Sequence, residues 1–200
     1  PVFEQFMGNV VGRAFQRDEV RDAVIPAYMG LIKQCDDQMG VLFDYLETSG
    51  QIDHTMIVIT SDHGDYLGDH YLGEKGLFHD PSARIPLIVY DPSPEADASR
   101  GTVCDELIES IDLAATFVEF AGGTVPNHII EGRSLMSILN GTSADPLRDY
   151  AVSEYDYSAT PMAENLALAP KDARLFMIVD KRWKFVHAEG IDPATHEAFR

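Results

Sequence analysis

An aspartate and a histidine stand side by side at Asp62-His63, where the apolar run Ile57-Val58-Ile59-Thr60 ends and Gly64 is about to follow. A carboxylate and an imidazole are ligand types that hold divalent ions, so an adjacent pair reads as half of a metal site. Successive strand residues face opposite ways, so the pair converges only if the chain bends at the strand end, and Gly64 offers that freedom. The alternative is a solvated strand-to-loop turn with an aspartate cap and an incidental histidine. Thirteen residues after Asp62, Lys75 lies within Leu72-Gly73-Glu74-Lys75-Gly76. There a glycine-flanked ammonium can swing to an anion as a point charge, or remain an ordinary solvated lysine. His79 precedes Asp80-Pro81. It is a candidate to touch a leaving group or act as a general acid, against a plain loop histidine bonded to backbone.

These side chains need elements to position them. A fully apolar run of this kind predicts a central parallel strand covered on both faces, and in open α/β sheets chemistry sits at the carboxyl ends of such strands. A second apolar strand is predicted over 85–90, with Arg84 and Pro86 at its entry. The long Gly-, Asp- and His-rich connection between them, 61–83, is of a length that is usually functional or disordered. Upstream, Tyr28, Leu31, Ile32, Cys35, Met39, Leu42, Phe43 and Leu46 recur at three- and four-residue steps. They form one stripe of a long helix ended by Gly50, with Cys35 a small core residue. A short helix capped by Asp18 is predicted before it, with Pro26 as breaker or opener. Asp36 and Asp37 diverge by roughly a hundred degrees on such a helix and cannot share an ion. Further helices are predicted over 105–121 and 134–139, and a turn of helix near 162–168. Strands are predicted at 150–155, 175–179 and 183–186, the last two an antiparallel hairpin around Asp180-Lys181-Arg182.

Other candidates rank lower. Arg84 can draw in an anion, but an ion pair with Asp65 or Asp69 is the better expectation. His70 is expected to be structural, and His54, His128, His187 and His196 show no ligand spacing. Tyr155, Asp156 and Tyr157 line a pocket or form an edge strand, and Trp183 is expected to pack.

With 33 acidic against 15 basic residues the net charge is −18. That excludes nucleic acid and anionic membrane surfaces as partners. It also means an anionic substrate must be won by local positive charge at short range. Two cysteines, Cys35 and Cys104, make no disulfide framework.

The order of Asp62-His63-Gly64, Lys75 and Ser82-Ala83-Arg84-Ile85-Pro86, with the helix before them, resembles the sulfatase and phosphonate monoester hydrolase branch of the alkaline phosphatase superfamily. Ser153-Glu154-Tyr155-Asp156-Tyr157 and Lys181-Arg182-Trp183-Lys184 look more like the phosphonate monoester hydrolase side. The resemblance implies an α/β fold: an alkaline phosphatase-like, mostly parallel sheet flanked by helices, with a smaller antiparallel C-terminal unit. Residues 1–149 would belong to the catalytic domain and 150–200 would start the C-terminal subdomain. It implies one divalent metal held partly by Asp62 and His63. Manganese or zinc is favoured by the imidazole, where many arylsulfatases have Asn, and calcium is the alternative. It implies a catalytic role for Lys75 on the substrate's oxygens. It also implies a formylglycine nucleophile outside this chain, since neither cysteine sits in the family's Cys-x-Pro/Ser-x-Arg motif. The sequence is thus expected to be the middle-to-C-terminal part of an enzyme, inactive by itself, acting on a small anionic ester. The expected reaction is hydrolysis of phosphonate monoesters, phosphate diesters or sulfate esters, in the cytoplasm, with homo-oligomerisation open. The alternatives are a two-metal phosphodiesterase or mutase of the same superfamily, and a non-catalytic binding module that retains the fold.

Overall fold

Apolar residues at helical steps produce the longest element of the computed structural model, which describes residues 10–189 and 198–199. After the short helix α1 (Val10–Phe15), helix α2 runs Asp18–Thr48 without interruption. Pro26 lies inside it and breaks nothing, against the expectation. Asp18 is the first helical residue rather than a side-chain cap. Gly50, at φ +70°, follows the helix in the left-handed region and donates its amide to the Glu47 carbonyl. The stripe is less buried than its pattern suggests: within α2 only Leu46 is buried, Val41 is 64 % exposed, and Cys35 is an exposed thiol rather than a core residue.

Strand β1 (Ile57–Thr60) pairs with β2 (Leu87–Tyr90), from Ile57 opposite Tyr90 to Thr60 opposite Leu87. The pairing is antiparallel, which corrects the expected parallel setting of this strand. A continuous apolar run reports two faces available for burial, not the direction of a neighbour. Between the strands lie a 3-10 turn (Asp69–Tyr71) and α3 (Asp80–Ala83).

Helix α4 covers only Asp112–Phe120, so the expected helix over 105–121 loses its first half. The reason is Asp112, whose wholly buried carboxylate accepts the Glu109 and Arg133 amides and grips Arg148 at 2.5 and 2.6 Å. Those bonds tie down residues 105–111, which run without regular structure into a turn at 110–111. Burial alone would raise this carboxyl. The Arg148 guanidinium, then the two amides, hold it below the ordinary carboxylate range.

After α5 (Met136–Leu139), strands β3 (Ala151–Asp156), β4 (Arg174–Val179), β5 (Lys184–Ala188) and β6 (Ala198–Phe199) form an antiparallel sheet in that order. The hairpin β4–β5 is thus as predicted, closed by Asp180, which receives the Arg182 and Trp183 amides. Helix α6 (Pro161–Asn165) packs beneath this sheet. The principal core joins it to the loop after β1: Tyr66, Leu72 and Phe78 pack with Tyr157, Met162, Leu175, Met177 and Val186. Among the described residues no helix is long and apolar enough to cross a membrane. His196 lies outside the described residues.

Candidate active site

Strand β1 delivers Asp62 and His63 to an exposed turn. The His63 amide donates to Asp62 Oδ1 at 3.0 Å, and Ser61 Oγ donates to the His63 carbonyl. His63 Nδ1 lies 2.8 Å from the Gly64 carbonyl. A carbonyl only accepts, so Nδ1 carries the proton, and Nε2 is the ring nitrogen that can offer a lone pair to a cation. That nitrogen faces Asp62 Oδ2 at 3.5 Å. Two ligand atoms on one tetrahedral ion, each bonded at about 2.1 Å, stand roughly 3.4 Å apart. A lone pair and a carboxylate oxygen at this separation suit a shared cation. The backbone carbonyl beneath Nδ1 is the outer partner that metal-binding histidines commonly use. Among the described residues no group of three or more His, Cys, Asp or Glu side chains forms a fuller site.

Gly64 serves a different purpose from the one expected. It is not in the left-handed region. A Cβ there would come within 1.9 Å of the Pro81 carbonyl oxygen, and the Gly64 amide donates to the Ser82 carbonyl at 2.8 Å. Gly64 permits close backbone approach, so the Asp62–His63 turn lies directly on α3.

The following loop is tightly coiled. Five non-glycine residues, Leu67, His70, Tyr71, Glu74 and Leu77, have positive φ. Such backbone persists only where surroundings dictate it. Here the loop is sewn into the core. Tyr66 is 1 % exposed, its amide donates to the Glu74 carbonyl, and its hydroxyl donates to the Gly76 carbonyl at 2.8 Å. Burial pushes that phenol well above its ordinary range. Lys75 emerges from this loop exposed, with no ion-pair partner among the described residues. Beside it, the Gly76 amide donates to Ser82 Oγ at 2.9 Å.

His79 lies 2.9 Å from the Tyr66 hydroxyl through Nδ1 and stacks on His70 with ring centroids 4.1 Å apart. Tyr66 gives its proton to Gly76, so His79 donates Nδ1–H and keeps an acceptor at Nε2. Burial, then the neighbouring His70 and Lys184, push it down to about 4, against the opposing pull of Asp80. The ring is therefore neutral at pH 7, and any proton-transfer role there is as an acceptor. Lys184, from β5, donates to the Phe78 carbonyl at 2.9 Å and pairs with Asp80, tying the C-terminal sheet to this loop.

Asp62, His63, Lys75, His79, Arg84 and Trp183 all line one open cleft of about 2430 Å³. Arg84 makes no ion pair with Asp65 or Asp69, contrary to expectation; Asp65 Oδ1 is taken by the Leu67 amide. Trp183 is 51 % exposed beneath the Arg182 guanidinium rather than packed inside. Of the Tyr155–Tyr157 segment, Tyr157 is fully buried in the core, while Tyr155 lines the cleft. Tyr66, Ser82 and Lys184, which hold the site together, were not candidates from sequence. Their bonds run largely to backbone carbonyls and amides and leave no spacing signal.

The model of the sulfatase family matches residues 3–123, and that of the C-terminal region of N-sulphoglucosamine sulphohydrolases matches residues 68–192. The chain is 34 % identical over 185 residues to the multifunctional alkaline phosphatase superfamily protein PehA of Trinickia caryophylli, covering 91 % of this chain and 35 % of that protein. It is 34 % identical over 131 residues to an arylsulfatase of Clostridium perfringens, covering 66 % of this chain and 27 % of that enzyme. The structure superimposes on the phosphonate monoester hydrolase SpPMH from Silicibacter pomeroyi with a TM-score of 0.78 at 31 % identity, over 86 % of this chain and 34 % of that one. The chain thus spans about a third of the length of the relatives it matches.

Proposed function

The chain belongs to the sulfatase family and has its α/β, alkaline phosphatase-like fold, and on that premise we propose that the protein hydrolyses small monoanionic esters with the help of one divalent metal. The substrates would be sulfate esters, phosphonate monoesters or phosphate diesters. The observation that carries the reading is the Asp62–His63 pair: an Nε2 lone pair fixed by the Gly64 carbonyl and turned to a carboxylate oxygen at 3.5 Å. Asp62 and His63 would hold part of the ion's coordination sphere. Imidazole among the ligands favours manganese or zinc over calcium. When bound, the metal lowers the nucleophile's pKa and neutralises charge on the transferring group. Within the family reading that nucleophile is a formylglycine that neither cysteine of this chain supplies.

Lys75 does the rest of the electrostatic work at the transferring group. Its ammonium has no ion-pair partner among the described residues and rises from a loop fixed by Tyr66 and Ser82, so positive charge would be held ready where negative charge accumulates. His79, neutral and anchored through Tyr66, would orient the loop and offer Nε2 as an acceptor. Two unbonded, exposed cysteines support a reducing, cytoplasmic setting.

The test is turnover of an aryl sulfate and an aryl phosphonate monoester by the whole protein, loaded with manganese or zinc. Lys75→Ala should lower turnover of both by roughly a hundredfold or more while metal content stays unchanged. An unaltered rate would return Lys75 to the status of a solvated loop lysine.

A further inference from the structure

Six lysines and arginines line the cleft, and four of them are occupied. Arg100 pairs with Asp97, Lys181 with Glu106 at 2.9 Å, Lys184 with Asp80, and Arg182 lies over the Trp183 ring at 5.2 Å. Lys75 and Arg84 have neither acid nor ring partner among the described residues. In a chain with 33 acids for 15 bases this is unexpected of an exposed arginine. Asp80, four residues before Arg84, is committed to Lys184, and Asp65, an expected partner, gives Oδ1 to the Leu67 amide.

The two cations also share a foundation. Ser82 is 5 % exposed. Its carbonyl receives the Gly64 amide of the Asp62–His63 turn at 2.8 Å, and its hydroxyl receives the amide of Gly76, next to Lys75, at 2.9 Å. Arg84 leaves the same turn two residues later, its amide bonded to the Asp80 carbonyl at 2.9 Å. The Asp62–His63 turn and the Lys75 loop are thus carried by backbone segments that meet on one buried serine, and Arg84 leaves the short helix α3 that contains it.

We propose that Arg84 is a substrate-binding residue, forming with Lys75 a two-cation receptor for a tetrahedral oxyanion. The planar guanidinium matches two oxygens at once and fixes the anion's orientation. The ammonium of Lys75 contributes a compact charge that follows the reacting group. Arg84 acts on binding and Lys75 on turnover. The identity of the substrate rests on the reading in the preceding section, while the receptor itself does not.

Two measurements on the whole protein separate these. In the first, inorganic sulfate is titrated against protein labelled with ¹⁵N, following the arginine Nε–H resonance that Arg84→Lys removes. A saturable shift of that resonance is expected, and no shift at sulfate concentrations that saturate other changes overturns the proposal. In the second, Arg84→Ala should raise KM for aryl sulfate and aryl phosphonate about ten- to a hundredfold, the range for a lost charged hydrogen bond, with kcat changed far less. Arg84→Lys should recover part of the loss. A KM equal to the unmodified protein's, in a variant with an unchanged melting temperature, also overturns it. If the unmodified protein turns over neither ester, the reading of function falls, and the sulfate titration still decides Arg84.

Discussion

Leu72 sits in an irregular loop and is wholly buried; Ile88 sits in a strand and is 60 % exposed. The same inversion holds for the regions around them. The loop from Tyr66 to Phe78 forms core with the C-terminal sheet, whereas the β1–β2 ladder and helix α2 leave apolar faces open. Regular hydrogen bonding and fixed position are therefore separate properties. Asp62 and His63 hang from the lightly packed strand pair, and Lys75 from the heavily packed loop. What holds the two in register is a handful of bonds to Ser82 and Asp80.

The largest effect is expected where function sits on the lightly packed side. Asp62→Asn keeps the side chain's shape and removes the charge that would hold a divalent ion. Elemental analysis should show metal lost, with hydrolysis by the whole protein falling by roughly a hundredfold or more. The side chain of Asp62 is 84 % exposed, so the melting temperature without metal should stay put. A variant with full metal and full rate would make Asp62 a turn residue only.

Next in size is a break in the buried Asp112–Arg148 ion pair. Asp112→Ala removes the main partner of Arg148, itself 7 % exposed, leaving it Glu109 at 3.2 Å, and should cost about 3–5 kcal/mol in denaturant unfolding. The carboxyl is depressed in the fold, so its contribution is complete above the unfolded carboxylate range. It should disappear as pH falls through the folded value. A loss below about 1 kcal/mol would show that water reaches Arg148.

Leu72→Ala tests whether the loop is core in energy as well as in area. A fully buried leucine in a strand or helix typically costs about 2–5 kcal/mol, and the same is expected here. The matching change in the strand, Ile88→Ala, should cost well under half as much. Equal costs would erase the contrast between the regions.

The smallest effect concerns pH. His79 is held neutral to about 4, while an unfolded histidine protonates near its ordinary value of 6.5. The folded pKa is the lower one, so the unfolded state takes up the proton first. Stability should be full above pH 6.5 and fall between there and about 4. His79→Gln should flatten that part of the stability curve, and an unchanged slope would assign the fall to other groups.

Much of this was legible from residue order. Alternation and the Asp180-Lys181-Arg182 turn gave the β4–β5 hairpin, and the helical stripe gave α2. Burial did not follow. A stripe states which face is apolar and not what covers it, so Cys35 was assigned to a core it does not enter. Residues 105–111 carry a helical pattern, but Asp112 is claimed by Arg148, 36 residues away. That competition is invisible to a local window. The pairing direction of β1 was missed because apolarity has no polarity along the chain. Arg84 was given a salt bridge because acids are abundant, and nothing local shows that Asp65 Oδ1 is taken by the Leu67 amide instead.

Ser82 acts as a fixed ruler between the two halves of the site. Its carbonyl sets the place of Gly64 and its hydroxyl the place of Gly76. The separation of Gly64 from Gly76, the neighbours of His63 and Lys75, is therefore set across one residue and not along the intervening chain. The interval from Asp62 to Lys75, the most visible trait of the motif, belongs to how the loop fills the core. A loop with a residue added or removed at its Asp69–Tyr71 tip would keep the chemistry in place, provided both ends still reach the serine.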